Sequence, residues 1–331
     1  MKINWDLFDK QYPIKNGVVN TLPPELAKKY IRPDLDAHTF DVVHNKVMKD
    51  RTKAEFLKDK EAMADMQMDF YDRMAAGFQG MDDNDQASGG IFWWKIRRLA
   101  KYDASVMKGK SILFVGAGNG RLIRFFASKG FNVVATDISR NMLEVGIVKN
   151  KSLGINDVTY VAQNAEIRFP FKDETFDNIY SLCVMNHITD WNNYITEKMR
   201  CLKPGGVLLE RLPNASLWQF WKMQGVLYEG VEIKAAYCNP DTVKAKLQEL
   251  DISGEVWTHD HQVNQTPIGR NIRIPVYYSV YLIVNQLLYN IRSFLEDYAK
   301  LGRNDGNGIY TMIKIVKTKG DIQTSIKDRI L

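Results

Sequence analysis

A glycine-rich turn directly follows an apolar run near the middle of the chain. The run Ser111-Ile-Leu-Phe-Val ends in three glycines at alternate positions, from Gly116 to Gly120, and a helical pattern begins at once. Such glycines let the backbone approach a ligand, while the first N–H groups of the helix face it. A second apolar run, Phe131-Asn-Val-Val-Ala-Thr, ends in Asp137, a carboxylate placed to accept hydrogen bonds from ribose hydroxyls. These residues predict a site for a nucleoside-containing cofactor.

The spacing of the glycines distinguishes between cofactors. The dinucleotide fingerprint requires a further glycine three positions after the second, and that position is Arg121. The spacing G-x-G-x-G that is present fits S-adenosylmethionine better than NAD.

Three further segments follow in a fixed order. A third strand pattern, starting at Val158, ends in Gln163-Asn-Ala-Glu. The segment Phe169-Pro-Phe-Lys-Asp-Glu-Thr-Phe-Asp leads into a fourth strand that closes at Asn186-His187. The last segment predicts a helix end, a Pro-Gly-Gly turn and a fifth strand, and its sequence is Cys201-Leu-Lys-Pro-Gly-Gly-Val-Leu-Leu.

Over residues 111–212 the chain resembles the class I S-adenosylmethionine-dependent methyltransferases. It looks most like the branch that includes the ubiquinone and menaquinone C-methyltransferases and many small-molecule O- and N-methyltransferases. The resemblance implies an α/β fold, a Rossmann-like seven-stranded sheet with helices on both faces. The sheet is expected to be mostly parallel, with its last strand antiparallel at the edge, and to carry a helical N-terminal extension and helical insertions.

The resemblance also implies how S-adenosylmethionine, or its product S-adenosylhomocysteine, is bound. The glycine turn holds the methionine and ribose part, Asp137 takes the ribose hydroxyls, and residues 164–165 meet the adenine edge. The predicted cofactor residues are Tyr71, Gly116, Ala117, Gly118, Asn119, Gly120, Asp137, Ile138, Met142, Asn164, Ala165 and Cys183. Two positions depart from the family pattern, because Phe114 and Asn164 stand where the family often has acidic residues.

His187 is the predicted general base, because it follows the fourth strand at the edge of the cofactor crevice and histidine titrates near neutrality. The alternative is that His187 caps the following helix. An aromatic segment after the fifth strand and a polar loop after the sixth predict an acceptor site. Its predicted residues are Trp218, Trp221, Tyr228 and His261. No metal site is predicted, although His259 and His261 are two positions apart.

The pattern divides the chain into two parts. Residues 1–105 are predicted to form an irregular N-terminal arm and a helical cap. Residues 106–331 are predicted to form the methyltransferase domain, with substrate insertions at about 213–238 and 259–308. A strong helix is expected within the second insertion, at about 277–301.

Bulk composition narrows the class of protein. The chain has 331 residues, 45% hydrophobic and 25% charged, with a net charge of +6 and only three cysteines, which are far apart. This is ordinary globular composition without a disulfide framework. With no signal-peptide pattern, no stretch long enough to span a bilayer and no basic tract interleaved with aromatics, we expect a cytoplasmic protein that neither inserts stably into membranes nor binds nucleic acid. The sequence leaves the formation of a homodimer as an open alternative.

Three hypotheses about function remain. The first is in-line methyl transfer to oxygen, nitrogen or an activated carbon of a small-molecule acceptor. The second is the same reaction on a lipidic or quinone-type substrate at a membrane surface. The third, motivated by Phe114 and Asn164, is a non-catalytic scaffold that binds S-adenosylmethionine.

Overall fold

The computed structural model describes residues 3–22, 91–188, 190–214, 240–259 and 310–318, with single helical positions at 68, 71, 72 and 75 and others between 284 and 300. Nine strands in this part of the chain form one sheet. They are β1 (Ile14–Lys15), β2 (Val18–Asn20), β3 (Ser111–Val115), β4 (Asn132–Asp137), β5 (Val158–Ala162), β6 (Phe176–Leu182), β7 (Leu202–Pro213), β8 (Glu255–His259) and β9 (Tyr310–Val316).

The sheet order is β1-β2-β5-β4-β3-β6-β7-β9-β8. All neighbouring pairs from β2 to β7 are parallel, whereas β1 and β9 run antiparallel to their neighbours. The central strands are continuous apolar runs because both of their faces are buried. In β3, for example, Leu113 and Val115 belong to one core cluster, and Ile112 and Phe114 to the other.

Helices cover both faces of the sheet. They are α1 (Ile91–Val106), α2 (Arg121–Ser128), α3 (Arg140–Ser152), α4 (Trp191–Cys201) and α5 (Pro240–Glu249). Buried side chains of α1, α2 and α3 pack in one core cluster, and those of α4 and α5 pack in the other. The predicted Rossmann-like architecture is therefore confirmed, and the chain reverses its strand order at β3, where such sheets bind ligands.

The sheet has two more strands than the seven predicted. Residues 14–20, which were expected to lie in an irregular arm, form a hairpin, and β2 extends the sheet by pairing in parallel with β5. The turn is Asn16-Gly17, and both residues have positive φ angles, 52° and 81°. Asn-Gly between two apolar runs is a strong signal for this type of hairpin, so the feature was readable in the sequence.

The position of the last strand also differs from the prediction. β9 is antiparallel, as expected, but it lies between β7 and β8, so β8 forms the edge of the sheet. At that edge the described positions between 284 and 299 are helical, within the range where a helix was predicted. Among the residues that the structure describes, no helix is long and apolar enough to cross a membrane.

Candidate active site

A cavity of about 310 Å³ opens at the carboxyl ends of β3, β4, β5 and β6. All of the predicted cofactor residues except Gly120 line it, and so does His187. Gly120 instead precedes the first turn of α2 in a left-handed conformation, with φ 78°. The cavity is also lined by residues that the sequence did not single out: Val115, Arg121, Leu122, Thr136, Gln163, Glu166, Tyr180, Leu182, Val184 and Ile188.

The glycine turn forms one wall of the cavity. Gly116 and Gly118 both have positive φ angles, 71° and 54°, which disfavour any residue with a side chain. A Cβ atom added to Gly116 would lie 2.1 Å from Cγ2 of Val184, whereas one added to Gly118 would meet no atom within 4 Å. Gly116 is therefore required by close packing, and Gly118 faces open space into which a ligand can approach.

This contrast gives a matched pair of variants. We expect Gly116→Ala to lower the free energy of unfolding by about 3 kcal/mol, because backbone strain adds to overpacking. Gly118→Ala should cost only about 1–2 kcal/mol from strain. Its methyl group should instead project into the cavity and weaken S-adenosylhomocysteine binding. Urea denaturation and calorimetric titration check the pair, and equal losses of stability in both variants would contradict it.

Asp137 lies at the end of β4, opposite the glycine turn. Its Oδ2 accepts a hydrogen bond from the Gly118 amide at 2.8 Å, and its Oδ1 accepts one from the Ser139 amide at 2.9 Å. Burial raises the pKa of Asp137 to about 6, although the two amides oppose the shift, and nearby Asp72 raises it further. Each carboxylate oxygen has a second lone pair, so both can still accept from ribose hydroxyls.

The described helical positions before α1 lie against the mouth of the cavity. Asp72 accepts hydrogen bonds from the Ser139 hydroxyl at 2.5 Å and from the Asn141 amide at 3.1 Å, at the start of α3. Its neighbour Tyr71 places its hydroxyl 3.3 Å from Nε2 of His187. The N-terminal region and the residues after β6 thus meet across the cavity.

The floor of the cavity lies at the ends of β6 and β7. Cys183 has a positive φ of 58°, and its amide donates to the carbonyl of Arg211 at 2.7 Å. Phe114, the departure from the acidic residue of the family, packs its ring 4.9 Å from the ring of Tyr180. An aromatic contact therefore replaces the acid, and any anchor for the methionine ammonium must come from elsewhere in the cavity.

The residues after β5 form the wall next to Asp137. Asn164 uses its Oδ1 to accept the Glu166 amide at 2.9 Å, which closes its own turn. Gln163 is 3% exposed, and neither of its side-chain amide atoms has a hydrogen-bond partner among the described residues. The rule that located Asp137, a polar residue directly after a parallel strand, would also have found Gln163.

The predicted acceptor residues Trp218, Trp221, Tyr228 and His261 lie outside the described residues, so they remain predictions. The cap of α4 is described: Asp190 accepts the Asn193 amide at 3.0 Å. His187 lies in the short 3₁₀ turn Met185–His187 that precedes this cap.

Comparison with known proteins agrees with this geometry. A family described as methyltransferase domain matches residues 113–209. The ubiquinone/menaquinone biosynthesis C-methyltransferase UbiE of Cronobacter sakazakii is 36% identical over 155 residues, which is 45% of this chain and 60% of that protein. UbiE of Escherichia coli gives the same identity and coverage. The chain thus spans about 60% of the length of the curated relatives it matches.

Over this region the chain is similar to members of the class I S-adenosylmethionine-dependent methyltransferase superfamily. The fold agrees with that of a chain in the solved complex between the Haloferax volcanii Trm112 methyltransferase activator and a methyltransferase. That chain is 15% identical, with a TM-score of 0.51 and coverage of 75% of this chain and 98% of its own length. At this identity the likeness concerns the fold alone.

S-adenosylmethionine is the cofactor of this methyltransferase superfamily, and the cavity fits it in two respects. Its volume of about 310 Å³ lies within the range of small-molecule sites, roughly 300–1,000 Å³. A Cβ atom added to Gly118 would meet no other atom within 4 Å, so the backbone there faces open space. The carboxylate of Asp137 lies next to this space, because it accepts the Gly118 amide.

Proposed function

We propose that this chain transfers a methyl group from S-adenosylmethionine to a small-molecule acceptor. The observation that carries the proposal is that one cavity is lined by two groups of residues. The first group is Gly118, whose backbone faces open space, together with Asp137, and the second is His187. The first group of residues suits a nucleoside-bearing cofactor. The second provides a titratable side chain near the place where an acceptor would enter.

The residues that line the cavity have different roles in this proposal. When bound, S-adenosylmethionine supplies a methyl group activated by the positive charge on sulfur. Gly118 gives the backbone room to approach it, Asp137 fixes its ribose, and Ile138 and Met142 supply apolar contacts for the base. Tyr71 covers the mouth of the cavity and limits water. Such orientation and exclusion of water are the main contributions a protein makes to this kind of transfer.

His187 is proposed as the base that receives the proton of the acceptor. Its Nε2 faces the Tyr71 hydroxyl at 3.3 Å, and the two rings meet edge to face, with centroids 6.0 Å apart. An acceptor hydroxyl that displaces the Tyr71 hydroxyl could donate its proton to Nε2, while the edge-to-face contact with the Tyr71 ring keeps the imidazole in place. Methyl transfer to oxygen or to the ring carbon of a phenol needs this loss of a proton.

The proposed acceptor is a hydroquinone with an unsubstituted ring carbon. The printed name of the 36%-identical relatives, which is that of quinone C-methyltransferases, supports this choice. Phe114, Tyr180, Leu182 and Ile188 give the cavity an apolar and aromatic lining. Such a lining suits a flat aromatic ring better than a charged acceptor.

A second candidate places a lipidic acceptor at a membrane surface. Seven large hydrophobic side chains at helical spacing are exposed: Val284, Leu287, Leu288, Ile291, Phe294, Leu295 and Tyr298. A helical face of this kind suits the interface of a bilayer. This candidate differs from the first only in the location of the acceptor, which is a membrane surface instead of free solution.

One experiment tests the proposal and separates the two candidates. The full chain is incubated with S-adenosylmethionine and a short-chain hydroquinone, or with the same ring on a long apolar tail embedded in vesicles. Formation of S-adenosylhomocysteine and of methylated product is measured by mass spectrometry. Product from the free ring favours the first candidate, and product from vesicles alone favours the second. Absence of S-adenosylhomocysteine with either acceptor would contradict this acceptor class.

The role of His187 has its own expected result. We expect His187→Gln to lower kcat by about 100-fold or more, since general-base catalysis contributes roughly 10²–10⁴. The affinity for S-adenosylhomocysteine should change less than about threefold, because no nucleoside contact is assigned to His187. Tyr71→Phe removes only the hydroxyl and should have a smaller effect on kcat. An unchanged kcat in His187→Gln would show that the histidine is structural.

A further inference from the structure

A row of exposed apolar side chains runs along the helical positions 284–299, outside the cavity. Seven large side chains, each between 38% and 62% exposed, form this apolar stripe: Val284, Leu287, Leu288, Ile291, Phe294, Leu295 and Tyr298. A large side chain has roughly 150–250 Å² of surface, so the stripe exposes on the order of 600 Å². Monomeric proteins rarely expose a contiguous apolar patch of this size, which therefore indicates an interaction surface.

Asp297 attaches this helix to the sheet without using the stripe. Its Oδ2 accepts from Nη1 of Arg98 in α1 at 2.8 Å, and its Oδ1 lies 2.6 Å from Nε2 of His259 at the end of β8. Because Nδ1 of His259 accepts from Arg211, the proton of the neutral imidazole is on Nε2 and is donated to Asp297. Buried polar contacts thus hold the helix, while the apolar stripe stays exposed.

The spacing of the stripe is that of a helix that packs on another helix. Written as heptads, position a is Val284, Ile291 and Tyr298, position d is Leu287 and Phe294, and position e is Leu288 and Leu295. In the sequence the same period continues on both sides, with Tyr277 and Val280 before the stripe and Leu301 after it. A 3.5-residue repeat with β-branched residues at a and leucine at d favours a pair of helices.

The charges around the stripe favour a second helix over a bilayer. Helices that lie in a bilayer interface are rich in lysine and arginine on their polar face. Residues 277–301 contain two basic and two acidic residues, and their charges balance: Arg292, Lys300, Glu296 and Asp297. Such a helix gains little from anionic lipid. The stripe itself has no charged residue, so two copies of it meet without repulsion between like charges.

We propose that the apolar stripe is the interface of a homodimer, in which the helices of two copies pack stripe against stripe about a two-fold axis. In such a contact the same surface serves both subunits. Two stripes together bury about 1,200 Å², which is the lower limit of specific protein interfaces. The interface is separate from the cofactor cavity, because no residue of the stripe lines that cavity.

Sedimentation equilibrium of the full chain tests this interface. The wild type should be a dimer with a dissociation constant in the micromolar range or lower. Ile291→Lys places a charge in the middle of the stripe. It should raise the dissociation constant about 1,000-fold, because the loss of one central contact costs roughly 30-fold and the two-fold axis repeats the change in both copies.

Val148→Lys is the matched control. Val148 is also β-branched, lies on helix α3 and is 63% exposed, but it is not part of the stripe. Its substitution adds the same charge and should change the dissociation constant less than about threefold. A wild type that stays monomeric at about 100 µM, or equal weakening of the dimer by both variants, would overturn the proposal.

Thermal unfolding at several protein concentrations shows whether Ile291→Lys folds normally. Because dimerisation stabilises only the native state, the melting temperature of the wild type should rise with protein concentration. Ile291→Lys should melt at one temperature throughout, equal to that of the wild type at the highest dilution. A melting temperature well below that value would mean that Ile291 packs inside its own chain, which contradicts the interface.

Co-sedimentation with phosphatidylglycerol vesicles tests the bilayer as the other occupant. The wild type should remain in the supernatant as a dimer. Uptake by the vesicles that is lost in Ile291→Lys but kept in Val148→Lys would show that the stripe enters a bilayer, and the proposal would then fail. Since none of these measurements uses S-adenosylmethionine or an acceptor, their results are independent of the proposed methyl transfer.

Discussion

Asp137→Asn is expected to raise the dissociation constant of S-adenosylhomocysteine about 100-fold, since hydrogen bonds to a charged group contribute about 1.5–3 kcal/mol each. The charge is only part of the reason. The carboxylate accepts the amides of both Gly118 and Ser139, at 2.8 and 2.9 Å. Asparagine has one acceptor atom, so its amino group would face one of these N–H groups and disturb the glycine turn. Calorimetric titration measures the effect.

Asp157→Asn is the matched control for this variant. Asp157 is exposed, precedes β5 and does not line the cavity, yet its substitution removes the same charge. The control should bind S-adenosylhomocysteine like the wild type. Equal weakening in the two variants would mean that net charge, and not a contact with the ribose, governs affinity.

The same carboxyl group makes ligand binding depend on pH. The pKa of Asp137 is raised to about 6 by burial, so the group is mostly neutral at pH 5 and ionised at pH 8. Ribose hydroxyls donate best to the ionised form. Affinity should therefore rise as pH increases from 5 to 7, by close to tenfold, and stay constant above about pH 7. In Asp137→Asn this dependence should disappear, and a pH-independent wild type would contradict the role of Asp137.

Much of the cofactor half of this site was predictable because backbone requirements leave a mark on the sequence. A turn that needs positive φ at Gly116 and Gly118 selects glycine, and a strand buried on both faces selects a continuous apolar run such as Ile112–Val115. The spacing between these features fixes which strand ends meet. The strands, the helices α2 and α3 and the cavity follow from such local rules.

Side-chain partners were less predictable because they depend on contacts between distant residues. Gln163 and Asn164 both follow β5, but their positions in the sequence do not show what each side chain contacts. In the structure the Oδ1 of Asn164 accepts the Glu166 amide, whereas the carboxamide of Gln163 has no partner among the described residues. The Asn16-Gly17 hairpin is a different case. The sequence contains the local signal for this turn, but it contains no signal that β2 pairs with β5.

Asp103→Leu is expected to lower the free energy of unfolding by about 3–5 kcal/mol, the cost of leaving a buried charge without its partner. Asp103 in α1 and Arg211 in β7 are both 0% exposed. The guanidinium group donates to both carboxylate oxygens of Asp103, from Nε at 3.1 Å and from Nη2. Once Asp103 is gone, the positive charge of Arg211 loses this bidentate partner inside the protein. Urea denaturation measures the loss.

The double variant Asp103→Leu/Arg211→Met is the control. Replacing both members of a buried ion pair by apolar residues is often neutral, so the double variant should recover most of the stability lost in the single one. Some loss should remain, because Nη1 of Arg211 also donates to Nδ1 of His259 at 2.7 Å. A double variant no more stable than Asp103→Leu would show that the ion pair itself stabilises the fold.

Asp103→Leu should also weaken S-adenosylhomocysteine binding, although Asp103 does not line the cavity. The carbonyl of Arg211 accepts the Cys183 amide at 2.7 Å, and Leu182 pairs with Arg211 across β6 and β7. Movement of Arg211 toward other partners would therefore shift the floor of the cavity. The double variant should restore binding together with stability. Recovery of stability without recovery of binding would mean that Arg211 positions the floor directly and not only through the packing of β7.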